Sequence, residues 1–573
     1  MRMVHNIDVA KILYEVADLL ELQGVGFKPN AYRNAARNIE SMTKELDEYR
    51  KTNNLRDIPG VGEAIAKKVE EILATGRLHY LDELKQQLPA GLLQMVEVPE
   101  IGPKTALHLY KELKITDVQE LKVAAEHHRI RSLKGFGERS EERILHGISL
   151  LEKRSGRMLL GYAYPVAERV REYVAEHAQL KLISLGGSLR RMKDTIGDID
   201  ILAGSNDVKK VMDSFTSYPE VDEVVERGPT KAVVRLKDGT QVDLRVVEEE
   251  AYGAALQYFT GSKDHNIKLR SLAIDKGWKL NEYGLFKKDL TEVVARRTEE
   301  DIYKALGLKI MPPELREDRG EIEASLNGTL PNLIELNDIK GDLHVHTVAS
   351  DGNATMEEFA WACKKKGYEY LGITDHSYGL RVTDGLSVER LRGNIDIAHN
   401  VAKRVDGLKI LIGAEVEILE DGSLDYPGDV LRELDFVIGA IHSKFNMDSD
   451  AMTKRVLTAI SNEFLTILAH PTGRKLEQRE PYPIDLEKVM LAAKSAGVCL
   501  ELNAFPERMD LNDVNCRMAK EIGVKIAIDT DSHSIPQLDY MFFGVATARR
   551  GWLEKEDVLN TLSLKELVSF LSA

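Results

Sequence analysis

The spacing of apolar residues changes along the 573-residue chain and divides it into three parts. In residues 1–85 the apolar positions recur at helical spacing, which predicts a series of short helices. From about residue 156, short apolar runs such as Leu182–Leu185 predict strands. Beyond residue 338, short β-rich runs alternate with helical stretches, a pattern typical of a parallel sheet covered by helices.

A tight turn and three aspartates make the middle part a candidate phosphate and metal site. Glycines at 186–187 let the backbone approach a phosphate, and the N–H groups that open the next helix can face the anion. Asp198 and Asp200 share one strand face, and Asp243 lies on another strand pattern. Neighbouring carboxylates repel one another unless divalent cations bind between them, and two metals beside a triphosphate favour nucleotidyl transfer. The alternative for Asp198 and Asp200 alone is a solvated pair in a half-exposed strand.

The motifs GGSLRR, GDID and VDLR resemble the nucleotidyltransferase signature of the family X DNA polymerases, the DNA polymerase beta-like gap-filling enzymes. The resemblance implies that Asp198, Asp200 and Asp243 bind two Mg²⁺ or Mn²⁺ ions. It continues through YFTGS at 258–262 and implies a set of substrate contacts. The implied contacts to the triphosphate are Gly187, Ser188, Arg191 and Gly197. Those to the sugar are Tyr258, Phe259 and Gly261, and those to the nascent base pair are Asn266 and Arg270. One departure is Gln241, where relatives with a catalytic arginine near the primer carry Arg.

A glycine-rich pattern recurs about every forty residues near the N-terminus, at 58–69, 98–106 and, more weakly, 133–138. It resembles the helix-hairpin-helix motif, whose turn amides bind a DNA phosphate without reading the bases. The resemblance implies DNA contacts at Gly60, Gly62 and Gly102. Any single copy could instead be an ordinary helical hairpin that ends in glycine.

Residues 27–33 together with Lys68 resemble the small lyase domain of family X. The resemblance implies that Lys68 forms a Schiff base with an abasic sugar, and that Lys28, Tyr32 and Arg56 hold a 5′-phosphate. A lysine can react in this way only if burial or cationic neighbours lower its pKa. Phe27 replaces a phosphate-binding histidine and Ala64 replaces a lysine, and the alternative for Lys68 is a solvated helix lysine.

Metal-type ligands end many of the short runs beyond residue 338. Ligands at the carboxyl ends of successive strands predict a parallel β/α barrel, for which we count seven strands. A mixture of imidazoles and carboxylates suits Zn²⁺ or Mn²⁺, and nine candidates suffice for about three ions. Any one of these histidines could be a buried core residue, but the set contains six of the chain's 15 histidines. The candidate ligands are His344, His346, Asp351, His376, Glu415, His442, His470, Asp531 and His533.

The motifs HVHT, TDH, GAE, IHS, AHP and DTDSH resemble the PHP (polymerase and histidinol phosphatase) domain over this whole part of the chain. The resemblance implies a trinuclear metal site that hydrolyses a phosphoester. Its expected reactions are 3′→5′ exonuclease action and related 3′-end processing as a phosphatase or abasic endonuclease.

Charge and cysteine content add conditions to this interpretation. The net charge of −15 is unusual for a nucleic-acid binder, but residues 1–155 are nearly balanced and most of the acidic excess lies beyond 338. We therefore expect moderate, salt-sensitive DNA affinity. No run of 18 apolar residues and no signal-peptide pattern occurs, and three scattered cysteines fit a reducing cytoplasm. We expect a monomer.

Together the two resemblances imply a bacterial family X DNA polymerase with a C-terminal PHP domain, acting on gapped or primed DNA and dNTPs. It would fill short gaps in DNA repair and trim 3′ ends at the PHP site. The alternatives are a 3′-end nuclease whose palm only grips DNA, a non-catalytic DNA-binding scaffold, and a small-molecule phosphatase. The expected fold is multidomain α+β and α/β, ending in a distorted (β/α)7 barrel. The predicted segments are 1–85 (lyase-like helix-hairpin-helix domain), 86–155 (helical DNA-binding subdomain), 156–250 (nucleotidyltransferase palm), 251–318 (nucleotide-closing subdomain), 319–338 (linker) and 339–573 (PHP domain).

Overall fold

The computed structural model of the chain separates into two compact units, residues 1–156 and 157–573. In the second unit it describes residues 157–572, except 288–291, 380–383 and 477–478. In the first it describes residues 6–148, with gaps at 23–24, 27, 41–45, 53, 59, 88–90, 97, 99–100, 102, 134–135, 139, 142–143, 146–147.

The first unit is helical wherever it is described, and its helices share one apolar core. Its first helix buries Val9, Leu13, Val16 and Leu20, the spacing that puts apolar residues on one face. Helices α1 to α8 are Asn6–Leu22, Lys28–Glu40, Leu46–Thr52, Glu63–Thr75, His79–Gln87, Gly91–Val96, Pro103–Leu113 and Val118–Glu126.

The three copies of the N-terminal repeat share one backbone hydrogen bond. The N–H groups of Val61, Ile101 and Phe136 each donate a 3.0 Å hydrogen bond to the carbonyl three residues earlier. Gly60 adopts φ +79° in the first copy, a conformation that favours glycine. The weakest sequence copy therefore has this hydrogen bond in common with the other two.

The second unit begins with a mixed sheet, the predicted palm, covered by two helices. Its central strands run parallel, while its other strand pairs are antiparallel. Strands β1 to β7 are Met158–Leu159, Leu182–Leu185, Thr195–Ile196, Ile199–Gly204, Val221–Arg227, Lys231–Leu236 and Gln241–Val247, and the main sheet has the order β2-β4-β7-β6-β5. Helices α9 to α11 are Leu160–Ala178, Gly187–Arg190 and Val208–Thr216.

A smaller subdomain of helices and a three-stranded sheet follows the palm. Its helices α12 to α14 are Tyr252–Thr260, Lys263–Asp275 and Glu299–Leu306, and its strands β8 to β10 are Trp278–Asn281, Gly284–Lys287 and Val293–Ala295. The buried carboxylate of Glu299 accepts hydrogen bonds from Arg190 of the palm and from Arg316.

The segment 319–338, predicted to be a linker, is folded. It contains a helix, α15 at Glu321–Asn327, and a short 3₁₀ turn at Leu336–Asp338. Its charged residues are paired: Glu321 accepts a 2.6 Å hydrogen bond from His265, and Arg319 contacts Asp513 at 2.9 Å. The high charge of this segment thus reflects ion pairs within the fold.

The C-terminal part is a distorted barrel of parallel strands, which confirms the predicted fold class. Its strands form two sheets with the orders β11-β12-β13 and β14-β15-β16-β17-β18. Ile438 N–H donates to the carbonyl of Ala414, between β13 and β14, and His346 N–H donates to the carbonyl of Ser532 at the closing edge. Counting β13 and β14 as one interrupted strand leaves the seven that we predicted. The strands β11 to β18 are Gly341–Asp342, Tyr370–Ile373, Lys409–Ile412, Glu415–Glu417, Ile438–Ala440, Ile467–Leu468, Cys499–Asn503 and Ile526–Asp529.

Helices surround this barrel and connect it to the palm. Helices α16 to α23 are Met356–Lys365, Val388–Ala402, Gly428–Leu431, Ser449–Ile460, Leu486–Ala496, Asp513–Ile522, Met541–Arg550 and Leu564–Leu571. Met509 and Phe543 of the barrel belong to the same apolar core as the palm helix α9. A Cβ added at Gly161 of that helix would overlap Pro506. The two parts of this unit therefore pack directly on each other. None of the described helices is long and apolar enough to cross a membrane.

Candidate active sites

The glycine turn of the palm lies directly against one of the three aspartates. Gly186 N–H donates a 2.8 Å hydrogen bond to the carbonyl of Asp200. Gly187 adopts φ +56°, and a Cβ added there would overlap the Asp200 carboxylate. Asp200 is the register partner of Asp243 across the parallel pair β4–β7. The parallel pairing therefore brings together two aspartates that are 43 positions apart.

The three aspartates influence one another electrostatically. Burial raises the pKa of Asp200, and the charges of Asp198 and Asp243 raise it further, to about 7. Desolvation, followed by the charge of Asp243, also raises the pKa of Asp198. Without cations, burial and the neighbouring charges thus favour the protonated form of Asp200.

Two neighbouring side chains hold Asp243, and the sequence did not single out either contact. Gln241 Nε2 donates a 2.9 Å hydrogen bond to one carboxylate oxygen, and Lys231 Nζ lies 3.2 Å from the other. Among the described residues, the palm aspartates are not one of the groups whose ligand atoms all lie within 4.8 Å of one another. Lys231 is the neighbouring cation that partly balances Asp243 in this arrangement.

The residues predicted to bind the nucleotide lie around the junction between the palm and the smaller subdomain. Arg191 Nη1 donates a 2.6 Å hydrogen bond to the carbonyl of Thr260, just before Gly261. The rings of Tyr258 and Phe259 meet edge to face at 5.1 Å, and the guanidinium of Arg245 lies 4.7 Å from the Phe259 ring.

The remaining predicted substrate residues occupy both sides of this junction. Asn266 and Arg270 stand one turn apart on α13. Asn266 Nδ2 donates a 2.7 Å hydrogen bond to the Tyr258 carbonyl, so it also stabilises the turn. Ser188 lies in α10, and Gly197 lies beside the guanidinium of Arg157. These roles stay predictions.

Most of the residues predicted to contact DNA in the first unit are exposed. Lys28, Arg56, Gly60 and Gly62 have exposed positions, while Gly102 lies outside the described residues.

Tyr32, a predicted phosphate contact, is buried, and its ring stacks on that of Tyr80 at 6.5 Å. The predicted nucleophile Lys68 has its Nζ 4.5 Å from the Tyr80 ring. Lys68 and Tyr32 therefore share one aromatic neighbour.

The barrel brings its predicted ligands together at the carboxyl ends of its strands. Eight of them form three groups in which the candidate ligand atoms all lie within 4.8 Å of one another. The ninth, His470, has its Nε2 3.1 Å from Glu415 Oε1. The groups are His346, Asp351, His376 and His533; His344, His346 and Asp531; and His376, Glu415 and His442.

A buried ring nitrogen in these groups, Nδ1 of His346, has no hydrogen-bond partner. Nδ1 of His376 and Oε2 of Glu415 lie 2.8 Å apart but without the geometry of a hydrogen bond. The Nε2 atoms of His344 and His346 lie only 3.0 Å apart. Buried polar atoms are normally satisfied, so this donor set fits cations.

Other side chains orient the candidate ligands, as is common around metal sites. Glu501 lies 2.6 Å from His344 Nδ1, and Glu417 lies 2.8 Å from His442 Nδ1. Glu417 stands two residues after Glu415, so the strand period could have revealed it, whereas Glu501 lies in β17, a strand that contains none of the predicted ligands.

Arg508 is a cation at the edge of the metal groups that the sequence did not mark. Its Nε lies 3.4 Å from Asp531 Oδ2, and its side chain is 14% exposed. Burial first, and then the charge of Arg508, lowers the pKa of His470 to about 3. His470 is therefore neutral, the form in which imidazole binds metals.

Four protein-family models match separate parts of the chain. Residues 4–78 match a helix-hairpin-helix domain and residues 92–148 match a SAM-like helix-hairpin-helix tandem. Residues 255–317 match the DNA polymerase beta thumb, and residues 342–504 match the PHP domain. Asp531 and His533 lie beyond the last match, but the fold places them in the same metal groups.

Curated relatives match either 99% of the chain or about two fifths of it. The DNA polymerase/3′-5′ exonuclease PolX of Bacillus subtilis (strain 168) is 38% identical over 571 residues, which cover 99% of both chains. A probable phosphatase of Thermoanaerobacter sp. (strain X514) is 34% identical over 232 residues, 38% of this chain and 89% of the relative. A probable phosphatase of Shewanella sediminis (strain HAW-EB3) is 30% identical over 241 residues, 40% of this chain and 93% of the relative.

The raised pKa of Asp200 predicts a pH-dependent stability of the metal-free protein. Because the folded-state pKa of about 7 exceeds the ordinary value of 3.8, unfolding releases a proton between about pH 4 and pH 7. The free energy of unfolding then falls as pH rises through this window, and the destabilisation is complete above it. Asp200→Asn should therefore raise the melting temperature in EDTA more at pH 8 than at pH 5.

Asp222→Asn, at an exposed position of β5, is the control and should change the melting temperature equally at both pH values. An equal effect of Asp200→Asn at both pH values would contradict the assigned charge repulsion.

Sharing of ligands between the barrel groups predicts a graded loss of metal. His346 belongs to two groups and His442 to one, so His346→Ala should lower the bound Mn²⁺ or Zn²⁺ more than His442→Ala does. Elemental analysis after gel filtration gives the metal content per chain. His399→Ala, an exposed histidine of α17, should match the wild type. Equal metal contents in all four proteins would refute the grouping.

Proposed function

The chain belongs to the bacterial family X DNA polymerases that carry a C-terminal PHP domain, and we propose that it fills short gaps during DNA repair. It is a DNA polymerase with an associated 3′→5′ exonuclease. Our proposal assigns polymerisation to Asp198, Asp200 and Asp243 of the palm, and 3′-end trimming to the PHP barrel.

The observation that carries the proposal is the presence of two separate clusters of candidate cation ligands in one compact unit. One is the aspartate pair aligned across β4 and β7, with Asp198 beside it. The other is the set of three ligand groups at the barrel mouth. A polymerase and a nuclease each need such a cluster, because both reactions develop charge on a phosphoryl group.

In the palm, the protein holds the nucleotide and the carboxylates in place. The turn at 186–188 would bind the triphosphate through backbone N–H groups, and Arg191 would add a positive charge. Gln241 and Lys231 each contact one oxygen of the Asp243 carboxylate and so fix its orientation. Two Mg²⁺ or Mn²⁺ ions held by the three aspartates would supply the neutralisation that phosphoryl transfer requires.

In the barrel, the imidazoles are held so that they offer one nitrogen each. Glu501 and Glu417 bind the far nitrogens of His344 and His442, which fixes both rings. Arg508 lies at the edge of the groups, where it can bind an oxygen of the substrate phosphate. About three Zn²⁺ or Mn²⁺ ions would supply charge neutralisation and a lowered pKa for the attacking water.

The two reactions fit one biological task. Gap filling needs a free 3′-OH, and damaged or mispaired 3′ ends must be removed first. The helix-hairpin-helix region supports DNA binding, and the substrate set is gapped or primed DNA with dNTPs. We further propose a monomer that works in a reducing cytoplasm, where its three buried cysteines stay free.

A phosphatase-like reaction is the second candidate for the barrel. The similarity to probable phosphatases covers 232 and 241 residues, about the length of the barrel. We therefore propose 3′-phosphatase and abasic endonuclease reactions as further uses of the same metal site. The DNA-binding repeats argue against a free small molecule as the substrate.

One gapped duplex assayed with and without dNTPs tests the assignment of the two sites. Asp198→Ala should lower extension by on the order of a thousandfold and leave 3′ trimming intact, because it removes a cation ligand of the palm only. His344→Ala should lower 3′ trimming and leave extension intact. Product lengths on a sequencing gel measure both reactions, with His399→Ala as the control.

Loss of both reactions in either variant would refute the two-site assignment. Feeble extension by the wild type would favour a nuclease whose palm only grips DNA. Absence of both reactions in the wild type would favour a non-catalytic scaffold.

Borohydride trapping on a duplex with a 5′-terminal abasic sugar tests the predicted lyase role of Lys68, the formation of a Schiff base with that sugar. The Lys68 amine would condense with the C1′ aldehyde of the opened sugar, release water and form an imine that borohydride reduces to a stable cross-link. Lys68→Ala should abolish the cross-link. Lys67→Ala is the matched control, since Lys67 is exposed and pairs with Glu63 at 3.1 Å. No cross-link in the wild type, or an undiminished one in Lys68→Ala, would contradict the lyase proposal.

A further inference from the structure

Five charged side chains form a continuous network where the palm meets the barrel. The palm contributes Arg191, the segment that follows the smaller subdomain contributes Glu317 and Arg319, and the barrel contributes Asp513 and Arg550. Arginines and carboxylates alternate along the network, and each carboxylate contacts two arginines.

Arg191 is held by two contacts that leave part of its guanidinium available. Its Nε donates a 2.9 Å hydrogen bond to Glu317 Oε1, and its Nη1 donates a 2.6 Å hydrogen bond to the Thr260 carbonyl. No hydrogen bond of Nη2 to another described residue occurs, and this atom is not among the buried atoms that lack a partner. The charge of Arg191 opposes the raised pKa of Asp200, so the guanidinium lies within electrostatic reach of the palm aspartates.

Arg550, the last residue of α22, fixes both the backbone and the partner of Arg191. Its Nη1 donates a 2.6 Å hydrogen bond to the Arg191 carbonyl and a 3.0 Å hydrogen bond to the same Glu317 oxygen. Its Nη2 donates a 2.7 Å hydrogen bond to Asp513 at the start of α21. The side chain is 4% exposed, so its charge depends on these partners.

The backbone beside the Arg191 carbonyl adopts an unusual conformation. Met192 has φ +54°, in the left-handed region that residues other than glycine rarely occupy. Such a conformation persists where surrounding contacts hold it in place. The hydrogen bond from Arg550 to the preceding carbonyl is one such contact.

We propose that Arg550 of the PHP barrel is a positioning residue for the triphosphate site, acting by holding Arg191 through Glu317 and the Arg191 carbonyl. The proposal rests on the proposed role of Arg191 in binding the triphosphate. The nucleotide pocket of the palm is thus completed by a side chain of the nuclease domain. Arg319 and Asp513 anchor the far end of the network.

The neighbouring residue Arg549 provides a matched control. It lies on the same helix and also joins the barrel to the preceding segments, because its Nε donates to Glu314 and its Nη1 donates to the Ile334 carbonyl. No hydrogen bond or ion pair joins it to Arg191 or Glu317 among the described residues. Loss of Arg549 therefore removes similar interdomain bonds without releasing Arg191.

Steady-state gap filling by the full chain tests the proposal with wild type, Arg550→Met, Glu317→Gln and Arg549→Met. Releasing Arg191 should remove about one charged hydrogen bond to the triphosphate. The binding free energy lost with it corresponds to a roughly 10- to 100-fold rise in KM for dNTP. Arg550→Met and Glu317→Gln should show this rise with kcat changed by less than about threefold. The inhibition constant for inorganic pyrophosphate should rise in the same proportion, because the same group binds it. Arg549→Met should keep both constants within about twofold.

A purely structural role would not produce this pattern. Exonuclease activity and melting temperature, measured on each variant, show whether the fold is intact. An unchanged KM for dNTP in folded Arg550→Met, or an equal rise in Arg549→Met, would overturn the proposal. If Arg550→Met does not fold, Glu317→Gln decides, since it removes the charge but keeps the side-chain shape.

Variants of Arg191 and Arg550 separate a failure of the proposed triphosphate site from a failure of the positioning role. An Arg191→Met variant with unchanged KM for dNTP would refute the triphosphate role of Arg191 in the proposed function. A raised KM in Arg191→Met together with an unchanged KM in Arg550→Met would refute only the positioning role of Arg550.

Discussion

In both sites, polar side chains lie so close together that the arrangement is stable only when a positive charge lies among them. In the palm, Asp200 lies against the glycine turn, and burial, followed by the charges of the two other aspartates, raises its pKa to about 7. In the barrel, the Nε2 atoms of His344 and His346 lie 3.0 Å apart, and Nδ1 of His346 is buried without a hydrogen-bond partner. Such arrangements cost stability in a protein without cations, so metal binding and the fold of each site are thermodynamically linked.

The two sites differ in how much of that positive charge the protein supplies. Lys231 lies against Asp243, and Arg191 lies within electrostatic reach of Asp200, so the palm carries cations of its own. In the barrel, Arg508 lies at the edge of the ligand groups, with its Nε 3.4 Å from Asp531 Oδ2. The palm therefore suits metals that arrive with a triphosphate, whereas the barrel suits resident metals. The ion network from Arg191 to Asp513 joins the two, because its carboxylates each bind arginines from different parts of the unit.

Local sequence patterns were sufficient for the parts of the fold that repeat. The period of two placed His344 and His346 together, and the glycine spacing predicted three similar segments, which share a backbone hydrogen bond at equivalent positions. The charged segment 319–338 shows where the pattern was insufficient. Its composition is typical of a solvated linker. In the fold, however, Arg319 pairs with Asp513, which is distant in the sequence, and Glu321 pairs with the buried His265. Composition cannot reveal whether a charge faces water or a partner.

By itself the sequence determined the class of each domain, the candidate metal ligands of the barrel and the three palm aspartates, because each follows from local spacing and short motifs. Only the tertiary structure decided which ligands share a group, that Lys231 and Gln241 hold Asp243, and that Arg550 contacts Arg191. The last pair is separated by more than three hundred residues, and no periodicity or motif spans that distance. Such contacts are set by how sheets and helices pack, and packing is a property of the whole fold.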